Sequence, residues 1–453
     1  MPVSRRALLR ASAIGAAALL VSACGGQATP TPAAQQPAQQ PAAPTQAPAQ
    51  APTQAPTQAA AQPTTAPKPA ATTAPQAASY PSEIEVGINL PFTGADAADA
   101  ANIRDGALMA IDEINAKGGI AGKIKIKPLV KDDGTVQAGQ YDPAQAATNM
   151  KQFVADPNVM AVVGPQMSGS GKAMSPIASE ASLVLITPSS TNPDITDPKF
   201  ASQYRPKGKA IYFRTVTTDA YQGPFMANFA AEKLNTKSLY ILDDTGAYGE
   251  GMSNLFEQQA KKKGINVLGH DKLNPKESDY TTILTKIKGL NVDGIYYGGV
   301  AQAGVKLAKQ SADVIPKLIK MGGDGVYGES FPKDAGAAAN GWYATIAAPN
   351  TIQEDSAKNW VSQYQSKYNR APVAYALTAY DGVLVIEDTI NRIVQDGKPL
   401  TRENVEAYML KTNLKTLQGT IAFDENGDLK DKVVSVFQIK DGKYVYIGSA
   451  PQE

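Results

Sequence analysis

The sequence contains few of the residues that build covalent cross-links, metal sites and nucleophilic active sites. Its 453 residues include one cysteine, Cys24, and one histidine, His270. A single cysteine excludes an intramolecular disulfide, and Cys/His clusters of the kind that hold zinc are absent from the sequence. His270 ends an apolar strand far from any nucleophile motif, so a Ser-His-Asp arrangement is not expected. The folded chain must therefore be stabilised by its hydrophobic core alone.

Basic and acidic residues are nearly balanced in the sequence. The chain carries 43 Lys and Arg residues against 42 Asp and Glu, and residues 80–453 carry 39 against 42. Nucleic-acid-binding proteins are usually strongly basic. The balance therefore argues against a nucleic-acid partner.

Residues 1–23 have the organisation of a signal peptide. Three arginines come first, an apolar run follows at 11–20, and small residues precede Cys24. This order is typical of an export signal, and the apolar run is too short to span a membrane as a helix. We expect residues 1–23 to be removed and the protein to work outside the cytoplasm.

The four residues that end at Cys24 suggest lipidation. The sequence Val21-Ser22-Ala23-Cys24 resembles a bacterial lipobox, in which the cysteine is acylated and becomes the mature N-terminus, and the pair Arg5-Arg6 resembles a twin-arginine export signal. Cys24 is the only cysteine and lies where the lipobox needs it. We therefore expect a lipid on Cys24 to anchor the protein to the cell membrane.

A linker occupies residues 24–81. It consists almost wholly of Ala, Pro, Gln, Thr and Gly, with 12 prolines and Lys68 as its only charge between Gly25 and Ser79. Such a composition cannot form a hydrophobic core and is typical of a disordered tether.

Short apolar strands alternate with amphipathic helices from Glu83 onward, which predicts parallel sheets covered by helices. A buried strand at Ile84–Leu90 precedes a helix with apolar residues three or four apart, and Asp142-Pro143 marks the start of another helix. The rhythm restarts with a strand at Ala210–Arg214 and closes on a β-hairpin after Lys432. The pattern predicts an α/β protein of two lobes, with ligand chemistry at the carboxyl ends of the strands.

Several motifs resemble those of the leucine/isoleucine/valine-binding proteins of bacterial ABC importers. They occur in order between residues 82 and 447 and include Gly87-Ile88-Asn89-Leu90-Pro91-Phe92-Thr93-Gly94, Asn115-Ala116-Lys117-Gly118-Gly119-Ile120-Ala121-Gly122, Val163-Gly164-Pro165, Thr187-Pro188-Ser189-Ser190-Thr191-Asn192-Pro193, Ala247-Tyr248-Gly249-Glu250-Gly251 and Tyr296-Tyr297-Gly298-Gly299. Each motif alone is weak, but the ordered set is specific.

The resemblance implies a type I periplasmic-binding-protein fold, in which three crossovers join two Rossmann-like lobes that close over the ligand. It places lobe 1 at residues 82–205 and 345–417 and lobe 2 at 206–344 and 418–453. It also implies a monomer that binds a solute, uses no cofactor, catalyses nothing and delivers its ligand to an ABC permease.

Three hydroxyl residues are candidates for holding a ligand carboxylate. Ser168 follows a buried strand and precedes a helix that we expect to start near Gly171, where N–H groups favour an anion. The resemblance assigns this role to Ser168 and adds Ser189 and Thr191 as the rest of the clamp. The alternatives are a simple N-cap for Ser168 and local turn hydrogen bonds for the other two.

Asp324 lies among glycines after a predicted strand, at a position where the related proteins carry a carboxylate, usually glutamate, for the ligand's α-ammonium group. Tyr248 matches an aromatic residue that closes over the ligand. Gln166 and Met167 replace a small apolar pair, and Asp99 replaces an aromatic residue. These three departures argue against a purely aliphatic ligand.

The sequence therefore predicts an amino-acid-binding protein, with the ligand a branched-chain amino acid or a related zwitterion. A carrier of a short amide, urea or small organic acid in the same fold is the nearest alternative. A sensor subunit with the same lobes and an exported two-lobed hydrolase are further ones, although no nucleophile-base pair supports the hydrolase.

Overall fold

The computed structural model of the chain describes residues 79–449. The predicted signal peptide, Cys24 and the linker up to residue 78 lie outside the described residues. The strands, in chain order, are β1 Glu83–Leu90, β2 Lys125–Asp132, β3 Gly134–Thr135, β4 Gln140–Tyr141, β5 Val159–Val163, β6 Val184–Thr187, β7 Tyr212–Arg214, β8 Ser238–Asp243, β9 Asn266–Lys272, β10 Gly294–Gly298, β11 Ile319–Gly322, β12 Tyr343–Ile346, β13 Asn413–Thr416, β14 Gly419–Ala422, β15 Ser435–Lys440 and β16 Lys443–Ser449.

The α-helices, in chain order, are α1 Ala97–Ala116, α2 Pro143–Ala155, α3 Ser168–Glu180, α4 Ala201–Tyr204, α5 Asp219–Glu232, α6 Ala247–Lys262, α7 Thr281–Leu290, α8 Ala301–Val314, α9 Ser330–Ala335, α10 Lys358–Tyr368, α11 Ala374–Gln395 and α12 Arg402–Met409. Among the described helices, none is long and apolar enough to cross a membrane. Within the same residues, no three His, Cys, Asp or Glu side chains are grouped so that they could hold a metal ion.

The first lobe is built on a five-stranded parallel sheet of order β2-β1-β5-β6-β7. Strand β1 lies inside this sheet and is buried from Ile84 to Leu90, because helices cover both faces of a parallel sheet. Helix α2 begins where the sequence predicts, since the Asp142 carboxylate accepts the N–H of Ala144 at 2.9 Å and Pro143 occupies the first turn.

The second lobe is built on a seven-stranded sheet of order β16-β15-β12-β11-β10-β8-β9. Its strands from β9 to β12 are parallel, and β15 and β16 add an antiparallel hairpin at the edge, as the apolar runs around the Asp441-Gly442 turn predict. Helices α5 to α9 pack on this lobe, whereas α1, α2, α3, α11 and α12 pack on the first.

The chain passes three times between the lobes, after β7, after β12 and before β15. This topology is the predicted type I fold of two Rossmann-like lobes joined by three crossovers. The lobe bounds implied by the resemblance differ from the structure at two strands, because they assigned Ala210–Arg214 and residues 418–422 to the second lobe. Strand β14 pairs with β13, which packs on α11 in the first lobe. Strand β7 instead pairs with β6 at the edge of the first sheet, and the order of strands along a chain does not reveal which sheet an edge strand joins.

A buried arginine at the end of β7 connects this edge strand to the loop after β6. Arg214 is 0% exposed, donates to the carbonyls of Ser190 and Asn192 at 2.6 and 2.8 Å, and forms an ion pair with Asp428 at 2.7 Å. A guanidinium group has enough donors to hold three acceptors at once. Arg214 therefore fixes the loop that carries Ser189 and Thr191.

Candidate functional site

A small cavity lies between the lobes at the carboxyl ends of their strands. The centres of water molecules can occupy a volume of about 50 Å³ in this cavity. One water needs about 10–15 Å³ by this measure, so the closed lobes leave room for a small solute only. The first lobe contributes Asp96, Asp99, Ile103, Gln166, Met167, Ser168, Ser189, Val373 and Tyr375, and the second contributes Tyr248, Val300, Asp324, Gly325, Tyr327 and Gly328.

Seven of the eight residues predicted from the sequence line this cavity, and Thr191 does not. Thr191 is 1% exposed and lies beside Asp219, whose main-chain N–H donates to the Thr191 carbonyl at 3.0 Å. The structure thus places Thr191 behind the lining. Its predicted role in the carboxylate clamp remains a prediction.

Ser168 is the first residue of α3, three residues earlier than the predicted helix start near Gly171. Met167 is the N-cap, so the alternative that Ser168 is itself the cap does not hold. The Ser168 hydroxyl, 2% exposed as a residue, accepts the N–H of Asn192 at 3.2 Å and contacts the Ser190 hydroxyl at 3.3 Å. Because the first N–H groups of a helix have no partner within it, this end of the cavity suits a carboxylate.

Ser189 completes the same end of the cavity from the loop after β6. Its hydroxyl donates to the Gln166 carbonyl at 3.2 Å, and its N–H lies 3.3 Å from the Thr187 hydroxyl. These contacts hold the loop against the start of α3. Both predicted serines therefore lie at one end of the cavity and are fixed by neighbours in their own lobe.

Asp324 provides a buried carboxylate in the wall formed by the second lobe. It follows β11 and is 6% exposed. Its Oδ1 accepts the Gln222 amide at 3.2 Å and its Oδ2 accepts the hydroxyl of Tyr375, which comes from the first lobe. Burial raises the pKa of Asp324 above its ordinary value. A cation bound here would favour the ionised form.

Tyr248 packs over Asp324 from the first turn of α6. It is 6% exposed, and its hydroxyl accepts the N–H of Gly325 at 3.0 Å. The approach is close enough that a Cβ on Gly323 would lie 2.3 Å from the Tyr248 hydroxyl. The glycines around Asp324 thus admit the tyrosine.

Asp99, which lines the cavity, joins the two lobes. Its Oδ1 accepts the main-chain N–H groups of Glu329 at 2.5 Å and Ser330 at 3.3 Å, both in the second lobe. Gly328 allows this contact, because a Cβ there would lie 2.4 Å from the Asp99 Oδ1. Asp99 therefore contributes to lobe closure.

Among the residues at the site that were not predicted from the sequence, four bear on its carboxylates. Asp96 and Tyr375 line the cavity, and Gln222 and Asp219 lie behind Asp324. The spacing of Asp96 and Asp99 on one helical face was a usable signal for the first. Tyr375, Gln222 and Asp219 come from helices that the sequence does not connect to the site, so only the tertiary structure brings them there.

The two ends of the cavity differ in their electrostatics. Serine hydroxyls and a helix N-terminus lie at one end, and a buried carboxylate with tyrosine hydroxyls lies in the opposite lobe. Apolar side chains of Ile103, Val300 and Val373 line the space as well. The arrangement can hold a small molecule that carries a negative group, a positive group and an apolar part.

Residues 83–443 match the sequence profile of the family described as periplasmic binding protein. Among curated proteins, the chain is 31% identical over 366 residues to the Leu/Ile/Val-binding protein BraC3 of Rhizobium johnstonii, covering 80% of this chain and 94% of that protein. The chain belongs to the branched-chain amino acid binding proteins. Members of this family bind solutes and are not enzymes, and membership implies an extracytoplasmic location.

Two further similarities agree with this assignment. The leucine-, isoleucine-, valine-, threonine- and alanine-binding protein of Pseudomonas aeruginosa is 30% identical, over 78% of this chain and 89% of that protein. The substrate-binding protein LivJ of Streptococcus pneumoniae, solved in complex with isoleucine, superposes with a TM-score of 0.70 at 27% identity, covering 82% of this chain and 100% of the solved chain.

Proposed function

We propose that this protein is the solute-binding component of an ABC importer, held to the membrane by a lipid on Cys24, and that it captures an amino acid between its lobes and delivers it to the permease. The ligand is a branched-chain amino acid or a related zwitterion. The names of the curated relatives support amino-acid binding, and the description of LivJ as the substrate-binding protein of a branched-chain amino acid transporter supports the transport role. The lipobox-like sequence before Cys24 supports the anchor.

One observation carries the amino-acid assignment. The same small cavity has Ser168 at the start of α3 on one side and the buried Asp324 carboxylate on the other. An α-amino acid carries its carboxylate and its ammonium group on the same carbon, and each would be held by a partner of opposite or complementary charge. Since neither partner is exposed, both charges of the ligand would be removed from water when the lobes close.

Calorimetry of the purified protein against the twenty amino acids, short amides and urea tests the proposal. We expect at least one amino acid to bind with a micromolar or lower Kd, which corresponds to about −8 kcal/mol. Binding of an amide or urea without binding of any amino acid would replace the amino-acid assignment with the nearest alternative.

A further inference from the structure

Asp96 is a helix N-cap whose side chain does not cap the helix. Helix α1 begins at Ala97, and the Asp96 carbonyl accepts the N–H of Ala100 at 2.9 Å, but the side chain makes no capping hydrogen bond. An aspartate at this position normally accepts the N–H of the second or third helical residue. The Asp96 carboxylate is therefore free from its usual local role.

The carboxylate of Asp96 is buried in the wall of the cavity. The residue is 2% exposed, and its Oδ2 has no hydrogen-bond partner among residues 79–449. Leaving a buried carboxylate without a donor is unfavourable. Gln166, which also lines the cavity, presents a second acceptor of this kind, because its buried Oε1 has no partner within the described part of the chain. An occupant of the cavity can supply the donor that both acceptors lack.

The surroundings of Asp96 carry negative charge. Three carboxylates raise the pKa of Asp96: that of Asp99, one turn along α1, and those of the buried Asp133 and Asp244. Like charges three residues apart on a helix destabilise it. In the described chain, no lysine, arginine or histidine lines the cavity, so the protein itself offers no cationic side chain there.

This acidic group is separate from the one around Asp324. Asp324 accepts hydrogen bonds from Gln222 and Tyr375, and its charge raises the pKa of Asp219. The charges that raise the pKa of Asp96 belong instead to Asp99, Asp244 and Asp133. If Ser168 and Asp324 hold the two charges of an amino acid, Asp96 is left for its side chain. The apolar lining suits the methylene groups of such a side chain.

We propose that Asp96 determines specificity by accepting a hydrogen bond from a cationic group at the end of the ligand's side chain, so that the site takes basic amino acids such as lysine, ornithine or arginine. This inference rests on the proposed amino-acid function and narrows it. Gln166 provides a second acceptor for the same group.

A proton should leave Asp96 when such a ligand binds. Burial raises the pKa of Asp96 to about 8, and Asp99, Asp244 and Asp133 raise it further. The other titratable groups that interact with Asp96 are the phenols of Tyr141 and Tyr297. Unliganded Asp96 is therefore mostly protonated at pH 7. An incoming cation favours the carboxylate, and the proton passes to the buffer.

Calorimetry at pH 7 with lysine, ornithine, arginine, leucine, isoleucine and glutamine tests the inference on the purified full chain. We expect a basic amino acid to bind at least tenfold more tightly than leucine. Asp96→Asn should remove at least tenfold of that preference and change leucine affinity less than threefold. Asp381→Asn is the matched control, because Asp381 is a buried carboxyl of the first lobe that neither lines the cavity nor is among the charges acting on Asp96, and it should keep the preference.

Proton release provides the second readout. Titrations in two buffers of different ionisation enthalpy should show more protons released on lysine binding by the wild type than by Asp96→Asn. Any contribution from Asp219 and Asp324 is common to both proteins. If Asp96→Asn fails to fold, the relative affinity of the wild type for basic amino acids and for leucine still tests the inference.

Three results would overturn the inference. A wild-type preference for leucine or isoleucine, or an unchanged lysine-to-leucine ratio in folded Asp96→Asn, would overturn it and leave the amino-acid function intact. Failure of every amino acid to bind the wild type would overturn the amino-acid function and the inference with it.

Discussion

Asp219 and Asp324 share a single hydrogen-bond donor. The side-chain amide of Gln222 donates to Asp219 Oδ1 at 3.1 Å and to Asp324 Oδ1 at 3.2 Å. Both carboxyls are buried, and burial together with the neighbouring Asp324 raises the pKa of Asp219 to about 8. Two such groups cannot both ionise readily without a cation, so the unliganded pair holds a proton at neutral pH.

This pair changes how the ammonium site should be understood. The sequence analysis assigned one aspartate to the ligand's α-ammonium and noted that its reach is shorter than that of glutamate. The structure adds Asp219 behind it, with Gln222 holding the two together. A bound cation can therefore be compensated by two carboxyls, of which only Asp324 lines the cavity.

Asp324→Asn should weaken amino-acid binding by about 3 kcal/mol or more, because it removes the charge that faces a buried cation. An uncharged amide should lose only about 1–2 kcal/mol, since asparagine still forms hydrogen bonds. Calorimetry at constant pH measures both. Asp334→Asn, an exposed site in the same lobe, is the control and should bind like the wild type. Near-native amino-acid affinity in Asp324→Asn would contradict the role of this carboxylate.

Ser168→Ala should weaken binding by about 1–3 kcal/mol, the scale of a lost hydrogen bond to a charged group. Ser170→Ala is the matched control, because Ser170 lies two residues along α3, donates to Asp133 at 2.5 Å and does not line the cavity. Affinities from calorimetry should fall only for the first variant. Equal losses would assign the effect to the packing of α3 instead of to a ligand contact.

The sequence predicts the architecture far better than it predicts the residues that surround Asp324. Apolar runs such as β1 and the Asp142 cap identify their elements because burial and capping are local properties. The edge strand β7 was assigned to the other lobe because pairing is a tertiary property. Tyr375 and Gln222 illustrate the same limit, since they reach Asp324 from two helices, α11 and α5, that are far apart in the chain.

Asp99→Ala should shift the unliganded protein toward an open form. The substitution removes the acceptor of the Glu329 and Ser330 N–H groups, which joins the lobes in the closed structure. By small-angle X-ray scattering, the radius of gyration of the variant without ligand should be larger than that of the wild type. At saturating ligand the two proteins should differ less. Asp112→Ala is the control on the same helix, because Asp112 pairs with Lys367 within the first lobe. If the radius of gyration of Asp99→Ala without ligand equals that of the wild type, Asp99 has no role in lobe closure.

Cys24→Ser should release the protein from the membrane, because serine cannot carry the thioether-linked lipid that we expect to provide the anchor. Fractionation of expressing cells should move the protein from the membrane to the soluble extracytoplasmic fraction. Ser4→Ala, in the same predicted peptide, should leave the distribution unchanged. Membrane retention of the Cys24→Ser variant would show that something else anchors it.

The unliganded protein should be more stable at pH 5 than at pH 8. Burial raises the pKa of Asp96 and Asp219 to about 8 and of Asp133 and Asp381 to about 7. The folded state therefore holds protons between pH 5 and 8 that the unfolded state, with carboxyl pKa values near 4, has lost. The free energy of unfolding falls as pH rises through this window, by an amount on the order of a few kcal/mol. Other shifts do not reverse the sign: the hydrogen bond to Asp243 raises the pKa of His270, so its stabilisation is also lost as pH rises.

Denaturant titrations of unliganded protein at pH 5, 6.5 and 8 measure this trend directly. Asp381→Asn should flatten it partly, because Asp381 is one of the buried groups and does not line the cavity. Saturation with a tightly bound amino acid should flatten it as well, since a cation beside Asp324 favours the ionised form of the pair that Asp324 makes with Asp219. If the free energy of unfolding without ligand stays constant or rises from pH 5 to 8, these carboxyls are ionised in the folded protein. If ligand leaves the pH dependence unchanged, the bound cation does not change the ionisation of Asp219 and Asp324.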